Sequence, residues 1–212
     1  MTRQQLTDGL RELAGSATRA ADTLAPDIDR AASMVLETLG GGGTLFFCGN
    51  GGSAADAQHL ATEYVVRYMR NRRALPAIAL TTDSSLLTAA GNDLGFDQVF
   101  ARQVEALCRP GDLLVIHSTS GNSPNVLRAA EAARSRGVQV LALLARDGGA
   151  LRELVDHSVL VPVERTDRAQ ELHLCIQHGI CDLVEQELQS GRLVVTDTRA
   201  AADPAVREGG AA

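Results

Sequence analysis

Apolar residues recur every three or four positions between residues 2 and 39, which is the spacing that places them on one face of an α-helix. Pro26 lies inside this stretch, and a proline in a helix interior removes one hydrogen bond and crowds the preceding turn. Glycines at positions 40–43 end the pattern. The chain is therefore predicted to begin with two helices, divided at Pro26, before any strand forms.

Short and nearly continuous apolar runs follow, at residues 44–48, 77–80, 113–117, 138–144 and 157–163. Runs of this kind are typical of parallel strands that are buried on both faces of a sheet. Segments with helical spacing alternate with them, at about residues 53–70, 84–90, 96–108, 123–136 and 150–154. This alternation predicts an α/β fold with a doubly wound, five-stranded parallel sheet flanked by helices.

A long C-terminal helix is predicted from about residue 168 to residue 189, where Leu172, Ile176 and Ile180 belong to one apolar stripe. Residues 190–212 show no sustained period, so we expect a mobile tail there. A chain of 212 residues with 45% hydrophobic content suits a single core. We therefore predict one domain over residues 1–189.

Charge and composition narrow the classes of function. The formal net charge of −6 argues against a surface that coats nucleic acid or an acidic membrane, because both depend on clustered Lys and Arg. The first 25 residues contain no long apolar run that would indicate a secretory signal or a membrane anchor, so we expect a cytoplasmic protein. The four cysteines have no metal-binding spacing, which favours reduced thiols.

Two segments repeat the order strand, Gly-rich turn, helix: LFFCGNGGS at residues 45–53 and LVIHSTSGNS at residues 114–123. Such turns at the carboxyl ends of strands are where open α/β sheets bind ligands. The second turn carries hydroxyls at Ser118, Thr119, Ser120 and Ser123 directly before a helix, and this combination predicts a phosphate site. Alternatively, Ser123 before a proline is only a helix N-cap, but capping explains one hydroxyl of the four.

Two helices carry candidate chemistry. His59 and Glu63 are four residues apart, so they share a helix face and could bind a metal or act in catalysis, although such pairs are often merely solvated. The last helix holds Gln170, Glu171, His173, Gln177 and His178 beside its apolar stripe. In a regular helix Gln170 and His178 are separated by about 12 Å of rise and about 80° of rotation. Sharing one ion would require a frayed helix start, a distorted helix or a neighbouring subunit.

Several motifs together resemble the bacterial phosphoheptose isomerases, a family with the sugar-isomerase (SIS) fold. They are CGNGGSAADAQHLATE, the following Arg67, GNDLGFDQVFARQVEA, STSGNSPNVLRAAEAAR and DRAQELHLCIQHGICDLVE, in consistent order over about residues 30–188. The resemblance implies a homotetramer with sites near the subunit interfaces, in which the helical extension 1–40 serves oligomerisation. It also implies conversion of sedoheptulose 7-phosphate into an aldoheptose 7-phosphate, either D-glycero-D-manno-heptose 7-phosphate or an epimer, through an enediolate assisted by one zinc ion per subunit.

The resemblance also implies roles for individual residues. The zinc ligands would be His59, Glu63, Gln170 and His178, with Glu63 and His178 also serving as catalytic base and acid. The substrate-binding residues would be Asn50, Gly51, Gly52, Ser53, Glu63, Arg67, Asn92, Asp93, Ser118, Thr119, Ser120, Ser123, Asp167 and Gln170.

Other interpretations remain open at this point. His117 stands where a small or apolar residue is expected, and it is either a buried structural histidine or a change in the pocket. Non-catalytic SIS proteins, such as phosphosugar sensors and partners of the replication initiator, reuse this fold, and so do isomerases of other phosphosugars. The four implied zinc ligands favour an enzyme, and residues 1–40 lack the basic helix-turn-helix of a DNA-binding regulator.

Overall fold

A five-stranded parallel sheet forms the centre of the computed structural model, which describes residues 3–196, with side chains from residue 7 onward. The strands are β1 (Leu45–Gly49), β2 (Ala77–Ala79), β3 (Leu113–Ser118), β4 (Gln139–Ala145) and β5 (His157–Val161). Their spatial order is β2-β1-β3-β4-β5, with all neighbours parallel. Every residue of β1 and β3 is buried, as the continuous apolar runs indicate, and the predicted α/β fold is confirmed.

Helices cover both faces of the sheet. They are α1 (Arg3–Gly40), α2 (Gly52–Val65), α3 (Ser84–Asp93), α4 (Ala101–Leu107), α5 (Pro124–Ser135) and α6 (Thr166–Gln189), with short 3-10 turns at Phe96–Gln98 and Ala150–Glu153. On one face, Phe47 of β1 packs with residues of α1, α2 and α6. On the other face, Phe46 packs with residues of α3, α4 and α5. Within residues 3–196, no helix is long and apolar enough to cross a membrane.

The prediction of two N-terminal helices is wrong, because α1 continues through Pro26 as one helix of 38 residues. Pro26 cannot donate a hydrogen bond to the carbonyl of Asp22. Both residues are solvent-exposed, so water can satisfy that carbonyl, and the apolar face of the helix packs on the domain without interruption. Tertiary packing therefore outweighs the local effect of the proline.

Two further boundaries differ from the prediction. The helix predicted over residues 53–70 ends at Val65, and the chain continues as a loop. The segment predicted as one helix over residues 96–108 divides into the 3-10 turn Phe96–Gln98 and α4. The first difference has a long-range cause, because residues 68–70 donate their backbone N–H groups to Glu185 of α6 rather than to a preceding turn.

The chain after α6 packs on the domain as far as it is described. Leu193 is buried in the core, and Val195 packs against it. The Thr196 hydroxyl donates a 3.0 Å hydrogen bond to the carbonyl of Gly40. The first residues of the predicted mobile tail thus contact the domain, while residues 197–212 lie outside the described part of the chain.

A polar cluster lies inside the core between β3 and α6. It consists of His117, His173 and Gln177, which are all fully buried. The His117 ring stacks on Phe47 with ring centroids 6.3 Å apart, and His173 Nε2 lies 3.0 Å from the Leu144 carbonyl oxygen. His117 is therefore a buried structural histidine, the first of the two alternatives. Burial, reinforced by the neighbouring His173, lowers the pKa of His117 to about 3.

We predict that His117→Leu makes the protein less sensitive to acid. The pKa of His117 lies below its ordinary value of 6.5, so between about pH 6.5 and pH 3 the unfolded chain binds a proton that the folded protein rejects. The stability that the neutral imidazole contributes is present above pH 6.5 and is lost as the pH falls. Relative to wild type, the variant should gain about 1–2 kcal/mol in free energy of unfolding between pH 7.5 and pH 5, measured by urea denaturation. An equal difference between the two proteins at both pH values would contradict this account.

Candidate functional site

The carboxyl ends of β1 and β3 lie side by side, because Gly49 is paired with His117 in the parallel register. From β1 the chain crosses to β2 on one side, whereas β4 and β5 follow β3 on the other side. This is the switch point at which open α/β sheets bind ligands. The two Gly-rich turns leave the sheet here, residues 49–52 toward α2 and residues 118–123 toward α5.

Both turns present a helix N-terminus whose end is not closed by a side chain. Gly51 is the N-cap of α2 and has a φ of 57°, a conformation that glycine adopts readily. Ser123 is the N-cap of α5 in position, as predicted, but its hydroxyl makes no capping hydrogen bond. The N–H groups of Ser53, Ala54 and Val126 already donate to the backbone carbonyls of the turns, and Pro124 has no N–H group. The Ser123 hydroxyl and the positive dipole ends of the two helices are thus what the turns offer to an anion such as a phosphate group.

The serine-rich turn is shaped partly by its own hydroxyls. Ser118 Oγ accepts a 3.0 Å hydrogen bond from the N–H of Gly121, and Ser120 Oγ accepts one of 3.3 Å from the N–H of Asn122. A hydroxyl that accepts from the backbone can still donate its own proton to a ligand oxygen. Ser118 and Ser120 can therefore serve both the turn and a bound phosphate.

An amide pair joins the two turns. Asn50 and Asn125 exchange two hydrogen bonds of 2.8 Å, each side chain donating its Nδ2 to the other's Oδ1. Asn125 lies in the first turn of α5 and is only 2% exposed. Asn125 is not among the residues predicted from sequence, although a polar side chain on the buried face of a predicted helix is a signal that could have indicated it. The pair fixes the distance between the two turns, residues 49–52 and 118–123, which together form the site that we call the anion cradle.

The structure brings His59 and Glu63 of α2 together with His178 of α6. His59 Nε2 lies 2.8 Å from His178 Nε2 and 3.3 Å from Glu63 Oε1. One ligand atom from each of the three side chains falls within 4.8 Å of the others, so the group could hold a metal ion. The predicted shared face of His59 and Glu63 is confirmed, and the packing of α2 on α6 supplies the third member.

Burial and neighbouring charges affect the titration of two groups here. Burial and the adjacent His59 lower the pKa of His178, partly offset by the attraction of Glu63, and this favours the neutral form of its imidazole. Burial raises the pKa of Asp56 to about 6, and His59 opposes this effect. In the sequence, nothing in the spacing of Asp56 distinguishes it from an ordinary exposed aspartate.

Gln170 lies against the first turn. A Cβ atom built on Gly52 would come within 2.6 Å of the Gln170 side-chain amide, so the missing side chain at Gly52 makes room for it. The helix α6 begins at Thr166 and runs through Gln170 and His178, so neither a frayed start nor a break brings these two residues closer. That Gln170 shares an ion with His178 therefore stays a prediction.

Other implied substrate residues occupy varied positions. Ser53 is buried in the first turn of α2. Asn92 donates a 2.7 Å hydrogen bond to Asp93 at the end of α3, and both are exposed. Asp167 pairs with Arg165, which holds the pKa of its carboxyl at about 2. Arg67 is exposed in the loop after α2, and substrate contact by these residues stays a prediction.

Comparisons with known proteins agree with this geometry. The family model described as SIS domain matches residues 10–145. The phosphoheptose isomerase of Akkermansia muciniphila is 50% identical over 173 residues, which are 82% of this chain and 92% of that protein. The phosphoheptose isomerase of Chlorobaculum parvum is 59% identical over 157 residues, or 73% and 75% of the two chains. The structure of the phosphoheptose isomerase from Neisseria gonorrhoeae aligns with a TM-score of 0.82 at 44% identity, covering 87% of this chain and 98% of that one.

We predict that Asn125→Asp weakens the binding of a sugar phosphate. The substitution keeps the size of the side chain but replaces the donor to Asn50 with an oxygen, and it adds negative charge beside the cradle. Losing one buried hydrogen bond should lower the affinity about tenfold, measured by calorimetry with sedoheptulose 7-phosphate. The exposed Asn71→Asp is the matched control with the same charge change. Unchanged affinity in Asn125→Asp would show that the amide pair does not set the cradle.

Proposed function

The chain belongs to the phosphoheptose isomerases, a family of SIS-domain enzymes that act on sugar phosphates, and from this we propose that it converts sedoheptulose 7-phosphate into an aldoheptose 7-phosphate. Family membership sets aside the non-catalytic alternative. The proposal rests mainly on one observation: the carboxylate of Glu63 on α2 lies close to the imidazole of His178 on α6. Helix α2 begins at the anion cradle, so these two groups lie on the helix that starts at the phosphate site and on its neighbour.

The phosphate end of the sugar would bind in the cradle between the two turns. Its contacts would be the hydroxyls of Ser118, Thr119, Ser120 and Ser123 and the N-termini of α2 and α5. Asn50, Gly51, Gly52, Ser53 and Gln170 line the first turn or lie against it and would contact the rest of the sugar. Binding energy from the phosphate, remote from the reacting carbons, would hold the chain of the sugar in one orientation.

The reaction moves two hydrogens as protons. Glu63 would take the proton from the first carbon of the ketose, and the electron pair of that C–H bond would form the double bond of an enediolate. His178 would carry a proton between the two oxygens, so that the carbonyl moves from the second carbon to the first. Glu63 would return its proton to the second carbon. The lowered pKa of His178 favours the neutral imidazole, which can accept a proton from one oxygen before it donates a proton to the other.

The three facing side chains fit zinc, which we propose as the metal of this site, one ion per subunit. Tetrahedral ligands of zinc are about 3.3 Å apart, given ligand distances of about 2.0–2.1 Å. The separation of 3.3 Å between His59 and Glu63 matches this, whereas the imidazoles at 2.8 Å would have to separate by about half an ångström. A zinc ion held there would act as a Lewis acid on the sugar oxygens. Gln170, the fourth ligand that the resemblance implies, could share the ion only through a neighbouring subunit.

A homotetramer is part of the proposal, with the N-terminal extension 1–40 used in assembly and a cytoplasmic location. The apolar side chains of Val65, Val66 and Met69 support an oligomer, because they are exposed just after Glu63. Arg67 lies among them, so a surface that buries these residues would also bring Arg67 to a subunit interface. Its implied contact with substrate would then be made near that interface.

The experiment that tests the function is incubation of the purified protein with sedoheptulose 7-phosphate, followed by NMR of the product. We expect the signals of an aldoheptose 7-phosphate, and the configuration at the new stereocentre identifies the epimer. Glu63→Gln should still bind the substrate through its phosphate group while turnover falls by about 10³-fold, because the variant loses both the base and the carboxylate ligand of the proposed metal site. If wild type forms no product, sedoheptulose 7-phosphate is not the substrate. If Glu63→Gln turns over the substrate as fast as wild type, Glu63 is not the catalytic base.

Removal of metal should lower the activity. We expect that prolonged chelation abolishes most turnover and that added Zn²⁺ restores it. His59→Leu should bind Zn²⁺ at least about tenfold more weakly, measured by competition with a chromophoric chelator. Full turnover by protein that elemental analysis finds free of metal would exclude the zinc assignment.

A further inference from the structure

A buried carboxylate lies on α6 two turns beyond His178. Glu185 is 1% exposed, and its oxygens accept the backbone N–H groups of Tyr68, Met69 and Arg70 at 2.9, 3.0 and 2.8 Å. Burial alone would raise the pKa of Glu185, but these bonds and the adjacent Arg72 outweigh it and lower the pKa. Glu185 is therefore an ionised group whose charge is satisfied by the loop that follows α2.

Arg72 connects this carboxylate to the turn of α2 that carries Glu63. Its Nε donates to Glu185 Oε1 at 3.1 Å, and its side chain is only 6% exposed. Its Nη1 donates to the Tyr64 carbonyl at 2.7 Å, and its Nη2 donates to the Glu63 carbonyl at 2.5 Å. Carbonyls at a helix end lack partners within the helix, so one guanidinium both closes α2 and ties it to α6.

The same contacts arrange the surroundings of His178. Glu185 follows His178 by seven residues, which is within about 20° of two full turns, so both side chains lie on one side of α6. The loop held by Glu185 carries Tyr68, whose ring stacks on His178 with centroids 5.2 Å apart and an interplanar angle of 25°. The ion pair therefore joins the backbone of Glu63, the helix of His178 and the aromatic wall of that imidazole.

We propose that Arg72 and Glu185 are positioning residues that set the separation of α2 and α6 at which Glu63 and His178 act on one substrate; this rests on the proposed function. The pair also contributes to stability, because Glu185 satisfies three backbone N–H groups and Arg72 satisfies two carbonyls at the end of α2. These directional bonds join the two helices next to Glu63 and His178, so they can hold the catalytic groups at a fixed separation. A shift of about 1 Å between catalytic groups can lower turnover about 100-fold.

The test compares Glu185→Gln and the double variant Arg72→Met/Glu185→Leu with a control on the same loop and helix. Asp182→Asn is that control, because Asp182 pairs with Arg70 at the surface and touches neither Arg72 nor the α2 carbonyls in the bonds described. The double variant removes both charges together, so it leaves no unpaired buried charge in case Glu185→Gln does not fold. Circular dichroism checks folding at the assay temperature.

We call Arg72 and Glu185 the clamp, and Glu185→Gln and Arg72→Met/Glu185→Leu its variants. We expect kcat of the folded clamp variants to fall about 100-fold while KM for sedoheptulose 7-phosphate changes less than about threefold, because the anion cradle is unchanged. Asp182→Asn should stay within about twofold of wild type. The proposal is overturned if the folded variants keep the wild-type kcat, or if kcat falls only in proportion to the fraction of unfolded protein.

A second measurement separates this proposal from the proposed function. If wild type itself does not turn over sedoheptulose 7-phosphate, the substrate assignment fails, and the clamp is judged by Zn²⁺ affinity in competition with a chelator. Both clamp variants should then bind Zn²⁺ at least about tenfold more weakly than wild type and Asp182→Asn. Equal Zn²⁺ affinities in all four proteins would overturn the positioning role.

Discussion

The parallel pairing of β1 with β3 is the constraint on which the site depends. Their register ends both strands at one level, so that two helices start side by side from Gly51 and Ser123. Because every residue of both strands is buried, a slip by one position would move polar residues of the turns into the core. The hydrophobic effect that fixes the sheet therefore also fixes the distance between the two walls of the anion cradle.

Packing of α2 on α6 adds the reactive groups to this frame. Neither helix holds a complete set, since His59 and Glu63 belong to one and His178 to the other. The helices meet through apolar contacts, which set proximity but tolerate small displacements, and through the Arg72–Glu185 pair, whose hydrogen bonds allow little. Apolar packing thus brings α2 and α6 together, and the Arg72–Glu185 pair restricts their relative position close to the reactive side chains.

The sequence predicted those features that depend on local pattern. Continuous apolar runs located the strands, and the spacing of four residues located the shared face of His59 and Glu63. The sequence-based prediction was wrong where residues far apart in the chain determine a helix boundary. Helix α2 ends at Val65 because the following loop binds Glu185, more than a hundred residues away. Helix α1 continues through Pro26 because its apolar face is packed on the domain. The approach of His178 to His59 follows from tertiary packing, so sequence suggested it only by resemblance.

The contact between Gly52 and Gln170 has a consequence for how this site can vary among related proteins. Even a methyl group at position 52 would occupy the space of the Gln170 amide. A larger residue in the first turn could therefore be accepted only together with a shorter side chain at position 170 or a displaced start of α6. The two positions are expected to change in concert, so a library that randomises the turn alone would sample mostly mismatched pockets.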